Sequence, residues 1–397
     1  MLKKIKHLIS HLFDELIECR EYIHANPELS FKELNTAKFV ASKLNEIGIP
    51  FISGIAGTGI VALIEGNNPQ KKCIALRADL DALPIQEEND VPYKSNIDGV
   101  MHACGHDVHT TCLLGAARVL NTLKSEFEGT VKLIFQPGEE VLPGGASMMI
   151  AENVLENPKV HEIYALHVHP SMEVGKVGFK SGKYMAACDE IYLTVIGKGG
   201  HAALPSEYNN PIMIIAELLP KLESYLKSIS KTNSPYIFAF GDLQAHGATN
   251  VIPEIAKAKG TLRTMDEVWR KEIHDKLHSF VKEFLASKNA DGELKILKGY
   301  PFLQNDKQVT EHAYEASKLL LGNNNVEKMN IRMTAEDFSY YSQKIPACFY
   351  RLGVRNEALG IIYGVHHPKF NIDNRALKIG VETLCTIALN ALNTKLN

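Results

Sequence analysis

Three short apolar runs early in this 397-residue chain each end in a pair of side chains able to bind a metal or a proton. Cys73–Ala78 (CIALRA) leads into Asp79 and Asp81. Val131–Phe135 (VKLIF) leads through Pro137 and Gly138 into Glu139 and Glu140. Ile163–Leu166 (IYAL) leads into His167 and His169. Continuous apolar stretches of this length read as strands buried on both faces. Between the first two, Val108–Leu123 carries Leu113, Leu114, Ala117, Leu120 and Leu123 on one helical face. Strands alternating with helices predict an α/β fold, its sheet mostly parallel with helices on both sides. Sites in such sheets form outside the carboxyl ends of the strands, so the three donor pairs are expected at one edge.

From about residue 186 to 294 the rhythm changes. A strand at Glu190–Ile196 precedes a helix from Pro211 to about Ser228, with proline at a start where its missing N–H costs little. Strands at Tyr236–Leu243 and Ala256–Arg263, a helix over Glu267–Ala286 and a strand at Leu294–Leu297 follow. The order β-α-β-β-α-β is that of a ferredoxin-like α+β sandwich. It reads as an insertion, because the α/β pattern resumes with a helix near Val309–Leu321, a strand near Phe349–Gly353 and a helix near Arg375–Leu392. The expected division is therefore 1–185 and 295–397 for one domain and 186–294 for the inserted one.

Charge and cysteine content exclude several classes. A formal net charge of -3 gives no footprint for nucleic acid or an anionic membrane. Lys3, Lys4 and Lys6 precede a run broken by His7, His11, Asp14 and Glu15, so no signal-peptide core is expected there. Ile5, Leu8, Ile9, Leu12, Phe13, Leu16 and Ile17 instead recur at helical spacing. The 7 cysteines are odd in number and fit no disulfide scaffold. Reduced thiols in a cytoplasmic protein are expected.

The densest cluster is Met101–His109 (MHACGHDVH), with His102, Cys104, His106, Asp107 and His109 at the threshold of a helix. A thiolate and an imidazole two residues apart can face one ion when the backbone is irregular, which Gly105 permits. Sulfur, nitrogen and carboxylate donors suit zinc, and the carboxylates and imidazoles also tolerate manganese. Glu139 and Glu140 point different ways as neighbours, so one can bind metal while the other acts as general base. His366 and His367, after the last strand, offer a further ligand. His201, between glycines in GKGGHAALP (197–205), offers a donor for an oxyanion.

Together, in order, HANPELSFKE (24–33), LRADLDALPI (76–85), MHACGHDVH, FQPGEE (135–140), LHVHP (166–170), GKGGHAALP, TNVIP (249–253), GTLRT (260–264), AEDFS (335–339) and HHPKFNID (366–373) cover nearly the whole chain. They resemble the aminoacylase/carboxypeptidase metallopeptidase superfamily, and within it the amidohydrolase branch of hippurate hydrolases, N-acyl-amino-acid deacetylases and auxin-conjugate hydrolases. The resemblance implies hydrolysis of the amide bond of N-acyl amino acids. It implies one or two divalent ions (zinc, manganese, cobalt or nickel) held by Cys104, His106, Glu140, His167 and His366, with Glu139 as general base. It implies that His201 reaches a neighbouring subunit's site in a homodimer, and that Asn250 and Arg263 contact substrate. Asp79, Asp81 and Asp107 support the site rather than bind metal. Two departures from the branch's pattern bear on the pocket: Gly138 stands where alanine is common, with Val141-Leu142-Pro143 after the glutamates, and His169 is not universal. A dipeptidase or aminopeptidase on the same scaffold is the neighbouring alternative, and a non-catalytic binder of amino-acid conjugates the more distant one. Neither the base nor a ligand is missing, which argues against the latter.

Overall fold

Helix α1 (Leu2–Ala25) buries Ile5, Ile9, Leu16 and Ile23 on one stripe, and near its end also Arg20 and His24. The computed structural model describes residues 1–231 and 234–393. In chain order, α2 (Leu34–Glu46), β1 (Phe51–Ile55), β2 (Gly59–Glu65), β3 (Cys73–Asp79), α3 (His106–Thr122), β4 (Thr130–Gln136), α4 (Gly145–Ala151), β5 (Glu162–Glu173) and β6 (Val177–Phe179) follow α1. After β7 (Gly182–Met185) come β8 (Ala187–Ile196), β9 (Gly200–His201), α5 (Pro211–Ile229), β10 (Tyr236–Gln244), β11 (Val251–Ile252), β12 (Ile255–Thr264), α6 (Glu267–Ser287) and β13 (Asp291–Lys298). The chain ends through β14 (Leu303–Asn305), α7 (Lys307–Leu321), β15 (Val326–Lys328), α8 (Ser339–Ser342), β16 (Ala347–Arg355) and α9 (Arg375–Ala391).

Two units emerge. The first contains Met1–Tyr184, Gln304–Ile331 and the chain from Asp337 on. Its sheet has the order β1-β2-β4-β3-β5-β16-β6-β15. The central strands β4, β3, β5 and β16 run parallel, while β1–β2, β2–β4 and β16–β6 are antiparallel. Every residue of β3 and β4 is buried, as the unbroken apolar runs require. Helix α3 is buried almost all round, which makes it a core helix rather than a surface one.

The third donor pair departs from the sequence reading. His167 and His169 lie inside β5 rather than after it, because β16 pairs with β5 from Ile163 past His169 to Glu173. Backbone pairing carries the strand through polar side chains that a hydrophobic pattern treats as its end.

The second unit is Met185–Leu303 with Arg332–Glu336, so it extends beyond residue 294 and takes in part of the AEDFS motif. Its four-stranded sheet is antiparallel, in the order β10-β12-β8-β13. Strands β8 and β12 alternate buried and open positions, as a sheet covered on one face should. Ile191, Leu193, Val195, Leu218, Leu222, Trp269, Ile273 and Leu277 form its core with α5 and α6. Among the described residues no helix is long and apolar enough to cross a membrane.

Candidate active site

Gly105 adopts φ +85 at the head of α3, and a side chain there would overlap Val168. That left-handed turn, natural only to glycine, sets Cys104 before the helix and His106 at its first position. The Cys104 Sγ lies 3.6 Å from His167 Nε2. His106 Nε2 lies 3.7 Å from Asp79 Oδ2 and 3.9 Å from Glu140 Oε1. The same Glu140 oxygen is 3.4 Å from His366 Nε2. His366 is placed by its own N–H, which donates to the Ala103 carbonyl at 2.7 Å. Its neighbour His367 instead stacks on Tyr363.

The donor atoms fall into overlapping triads, each within 4.8 Å: Cys104, His106 and His167; Cys104, Glu140 and His366; His106, Glu139 and Glu140. Five of the six side chains are buried or nearly so, and His366 is half-exposed. Glu139 is further fixed by the Asp337 N–H, which donates to its Oε1 at 3.3 Å.

Supporting carboxylates decide which ring nitrogens point inward. His106 turns Nδ1 to Asp81 Oδ1 at 3.2 Å, which directs Nε2 into the cluster. His167 donates from Nδ1 to the Val168 carbonyl at 2.8 Å, with the same result. His109 is different. Its Nδ1 meets Asp79 Oδ1, and its Nε2 accepts from the Val168 N–H at 3.0 Å, so both nitrogens are engaged. Asp79 is held in turn by Arg77 Nη1 at 2.6 Å. Asp107 points away from the donors, toward Arg20 and His24, each at 2.8 Å.

Burial alone would lower the pKa of His106, but Asp79, Cys104 and Asp81 overcome it and hold it well above the ordinary value. Cys104 and Glu140 beside it raise the pKa of His366 to about 10. Burial, aided by Arg351, pushes His167 well below its ordinary value. Burial also raises the Cys104 thiol, with Glu140 adding to it. His106 Nε2 and Glu140 Oε1 are buried with no hydrogen-bond partner among the described residues. Donors sharing one zinc at roughly 2.0–2.3 Å lie roughly 3–4 Å apart, and the spacings above fall in that range. The residues therefore fit a divalent metal.

The second unit carries His201, Asn250 and Arg263. His201 is exposed on β9, and its Nδ1 accepts from the Ala203 N–H at 3.1 Å, which leaves the proton on an outward Nε2. Asn250 is exposed, and its carbonyl accepts from Ala202 N–H. Arg263 is half-buried on β12, opposite Cys188 and Ile237.

Residue-level reading passed over two buried networks. Arg20, His24 and Glu87 join Asp107 beneath α3. Arg77 bonds Asp79, Gln136 and Asp337, and Asp337 also accepts from Gln136 and from the Ala146 N–H. A charged residue inside an apolar strand, as Arg77 is in CIALRA, was the available signal, since a buried arginine must be paired.

The fold and site define a hydrolase acting on amide or peptide bonds. Residues 75–390 match the peptidase family M20/M25/M40, to which the chain belongs. It is 36% identical to thermostable carboxypeptidase 2 of Saccharolobus solfataricus, over 99% of both chains. It is 34% identical to an N-acetylcysteine deacetylase of Bacillus subtilis, over 96% of this chain and 97% of that one. Among solved structures, the Bacillus subtilis YXEP protein, described as a dinuclear metal-binding peptidase of the M20 family, matches with a TM-score of 0.83. It is 32% identical, over 97% of this chain and all of that one.

Proposed function

We propose that this chain is a metal-dependent amidohydrolase that removes the acyl group from N-acyl amino acids. The observation that carries the reading is the pair of triads sharing Cys104, with the Glu139 carboxylate within 4.8 Å of His106 and Glu140 donors. Cys104, His106, Glu140, His167 and His366 would hold one or two ions of zinc, manganese, cobalt or nickel. A divalent ion bound there supplies Lewis acidity and brings the pKa of water toward neutrality.

Glu139 takes the proton of the attacking water and returns it to the leaving amine. The Asp337 N–H keeps its carboxylate aimed while it does so. Nε2–H of His201, supplied by the partner subunit, donates to the oxyanion. Arg263 and Asn250 bind the carboxylate and amide of the amino-acid portion. The second unit, read as a ferredoxin-like lid and dimerisation domain, delivers these groups in a cytoplasmic homodimer.

The test is turnover of N-acetyl and N-benzoyl amino acids by metal-loaded protein. Glu139→Gln should bind metal normally and lose about 10²–10⁴-fold in kcat. A variant that stays near wild-type rate removes Glu139 from the mechanism. The likeness to the carboxypeptidase favours a second reading, peptide cleavage, and dipeptides in the same panel decide between them.

A further inference from the structure

Glu33 lies wholly buried at the end of the HANPELSFKE segment, far from the donors in sequence. Its Oε1 accepts two backbone N–H groups, from Phe31 at 2.8 Å and from Gly138 at 2.8 Å. Its Oε2 accepts from the Thr58 hydroxyl at 2.6 Å. Gly138 immediately precedes Glu139. Its carbonyl accepts from the Gly145 N–H at 2.9 Å, so its two polar groups are fixed from opposite sides.

The clamp explains two backbone oddities. Gly138 has φ +55, and a Cβ there would overlap the Phe31 ring. Phe31 itself has φ +64, a left-handed conformation that aromatic residues rarely adopt. Such a conformation persists only where its surroundings over-determine it. The shared Glu33 oxygen does so, locking Phe31 against a position where a Cβ would overlap its ring. On the far side of Glu139, the Glu140 N–H donates to Asp81 Oδ2 at 3.0 Å. Ser30, three residues from Glu33, donates to that same Asp81 oxygen at 2.6 Å. The Pro137–Gly138 peptide upstream of Glu139 and the Glu139–Glu140 peptide downstream of it are thus each held by a buried carboxylate, and both are braced by the segment Ser30–Glu33.

We propose that Glu33 is a positioning residue for Glu139, acting through the Gly138 peptide to fix the direction of the base. The proposal rests on Glu139 being the base. Glutamine is the informative replacement. Its Oε1 can accept both N–H groups, and its amide can donate to Thr58, so the clamp survives without charge.

Glu33→Ala and Glu33→Gln are compared with the wild-type metalloenzyme by amide hydrogen exchange at Gly138. Metal content is measured on each, with kcat and KM on the N-acyl amino acid turned over fastest. Glu33→Ala should exchange Gly138 rapidly, keep its metal, and lose about 100-fold in kcat with little change in KM, the scale of a misplaced catalytic group. Glu33→Gln should restore both slow exchange and most of kcat. In a Glu139→Gln background the alanine change should cost almost nothing further, because the two residues act as one unit.

An unchanged kcat in Glu33→Ala, loss of metal in step with kcat, or a full additional loss in the Glu139→Gln background would overturn the proposal. Should Glu33→Ala fail to accumulate as folded protein, Glu33→Asp, one methylene short of Gly138, is measured in its place with the same expected direction. Slow exchange at Gly138 in whichever of these is measured would overturn the clamp itself. An active Glu139→Gln enzyme, by contrast, refutes the base assignment while the exchange result still stands.

Discussion

His109 meets Asp79 Oδ1 through Nδ1 at 2.6 Å while its Nε2 accepts from the Val168 N–H at 3.0 Å, so although Asp79, His106 and His109 lie close enough to form a donor triad, both His109 nitrogens are already engaged. The ring is a strut between β3 and β5. His109→Ala should therefore keep the full metal complement while losing about 1–3 kcal/mol of stability, the cost of leaving a buried partner unsatisfied. Metal analysis beside guanidinium unfolding checks this. Loss of metal in a folded His109→Ala protein would make the ring a ligand after all.

Cys104 belongs to two of the donor triads. Cys104→Ser should therefore weaken zinc binding by more than roughly tenfold, the lower bound seen even for supporting residues. Cys104→Asp should shift preference from zinc toward harder ions such as manganese, because a carboxylate replaces a soft thiolate. Competition titrations with the two metals read this directly.

The network under α3 should give stability a particular pH dependence. His24 lies between Asp107 and Glu87, with Arg20 beside it. Burial and Arg20 work to lower the pKa of His24, yet its two carboxylate bonds raise it. Burial works to raise Glu87, and the His24 bond nevertheless lowers it. The His24 contribution is therefore complete below its unfolded value of about 6.5 and is lost as pH rises through the folded value. The Glu87 contribution is complete above about 4.3 and is lost as pH falls through its folded value. The pair stabilises most between those limits. Glu87→Gln should cost about 3–5 kcal/mol near pH 5.5 and progressively less at pH 3, measured by urea unfolding. A pH-independent deficit would remove ionisation from the account.

His201 offers a test of assembly and chemistry together. Its removal should lower kcat about 100-fold, the usual cost of one oxyanion donor. If His201 serves the neighbouring subunit's site, mixing and re-annealing inactive His201→Ala and Glu139→Gln proteins should recover about a quarter of wild-type activity. Half the dimers would be mixed, and each would hold one intact site. Mixed dimers that form but show no recovery would confine His201 to its own chain.

Much of the first unit's architecture could be read from CIALRA and VKLIF, because strands buried on both faces leave an unbroken apolar signature. The helix at His106 was legible from Gly105 and the leucines after it. Strand β5 was not fully legible, because its length is set by β16, almost 200 positions along the chain, and pairing ignores the polarity of His167 and His169. Cys104 and His106 stood out because thiol, imidazole and carboxylate in one short segment seldom share a structural purpose, whereas Glu140, His167 and His366 entered as expected ligands only through the resemblance. The roles of Arg20, His24, Glu33 and Glu87 were hidden for the opposite reason. Each is an ordinary charged residue whose meaning comes from a partner distant in sequence, and no local pattern announces a buried pair. Gly138 stood out as unusual only by likeness to other sequences, and the Phe31 ring supplies the physical reason that nothing larger fits there.

Arg20 and His24 lie on α1, whose first turn begins at Leu2, yet both end against Asp107, next in sequence to His106. The opening helix is thereby tied to the start of α3, next to the candidate metal donors. A fusion partner, purification tag or proteolytic nick that lifts it would be felt as slack in ion capture, well before the rest of the sheet lost its shape.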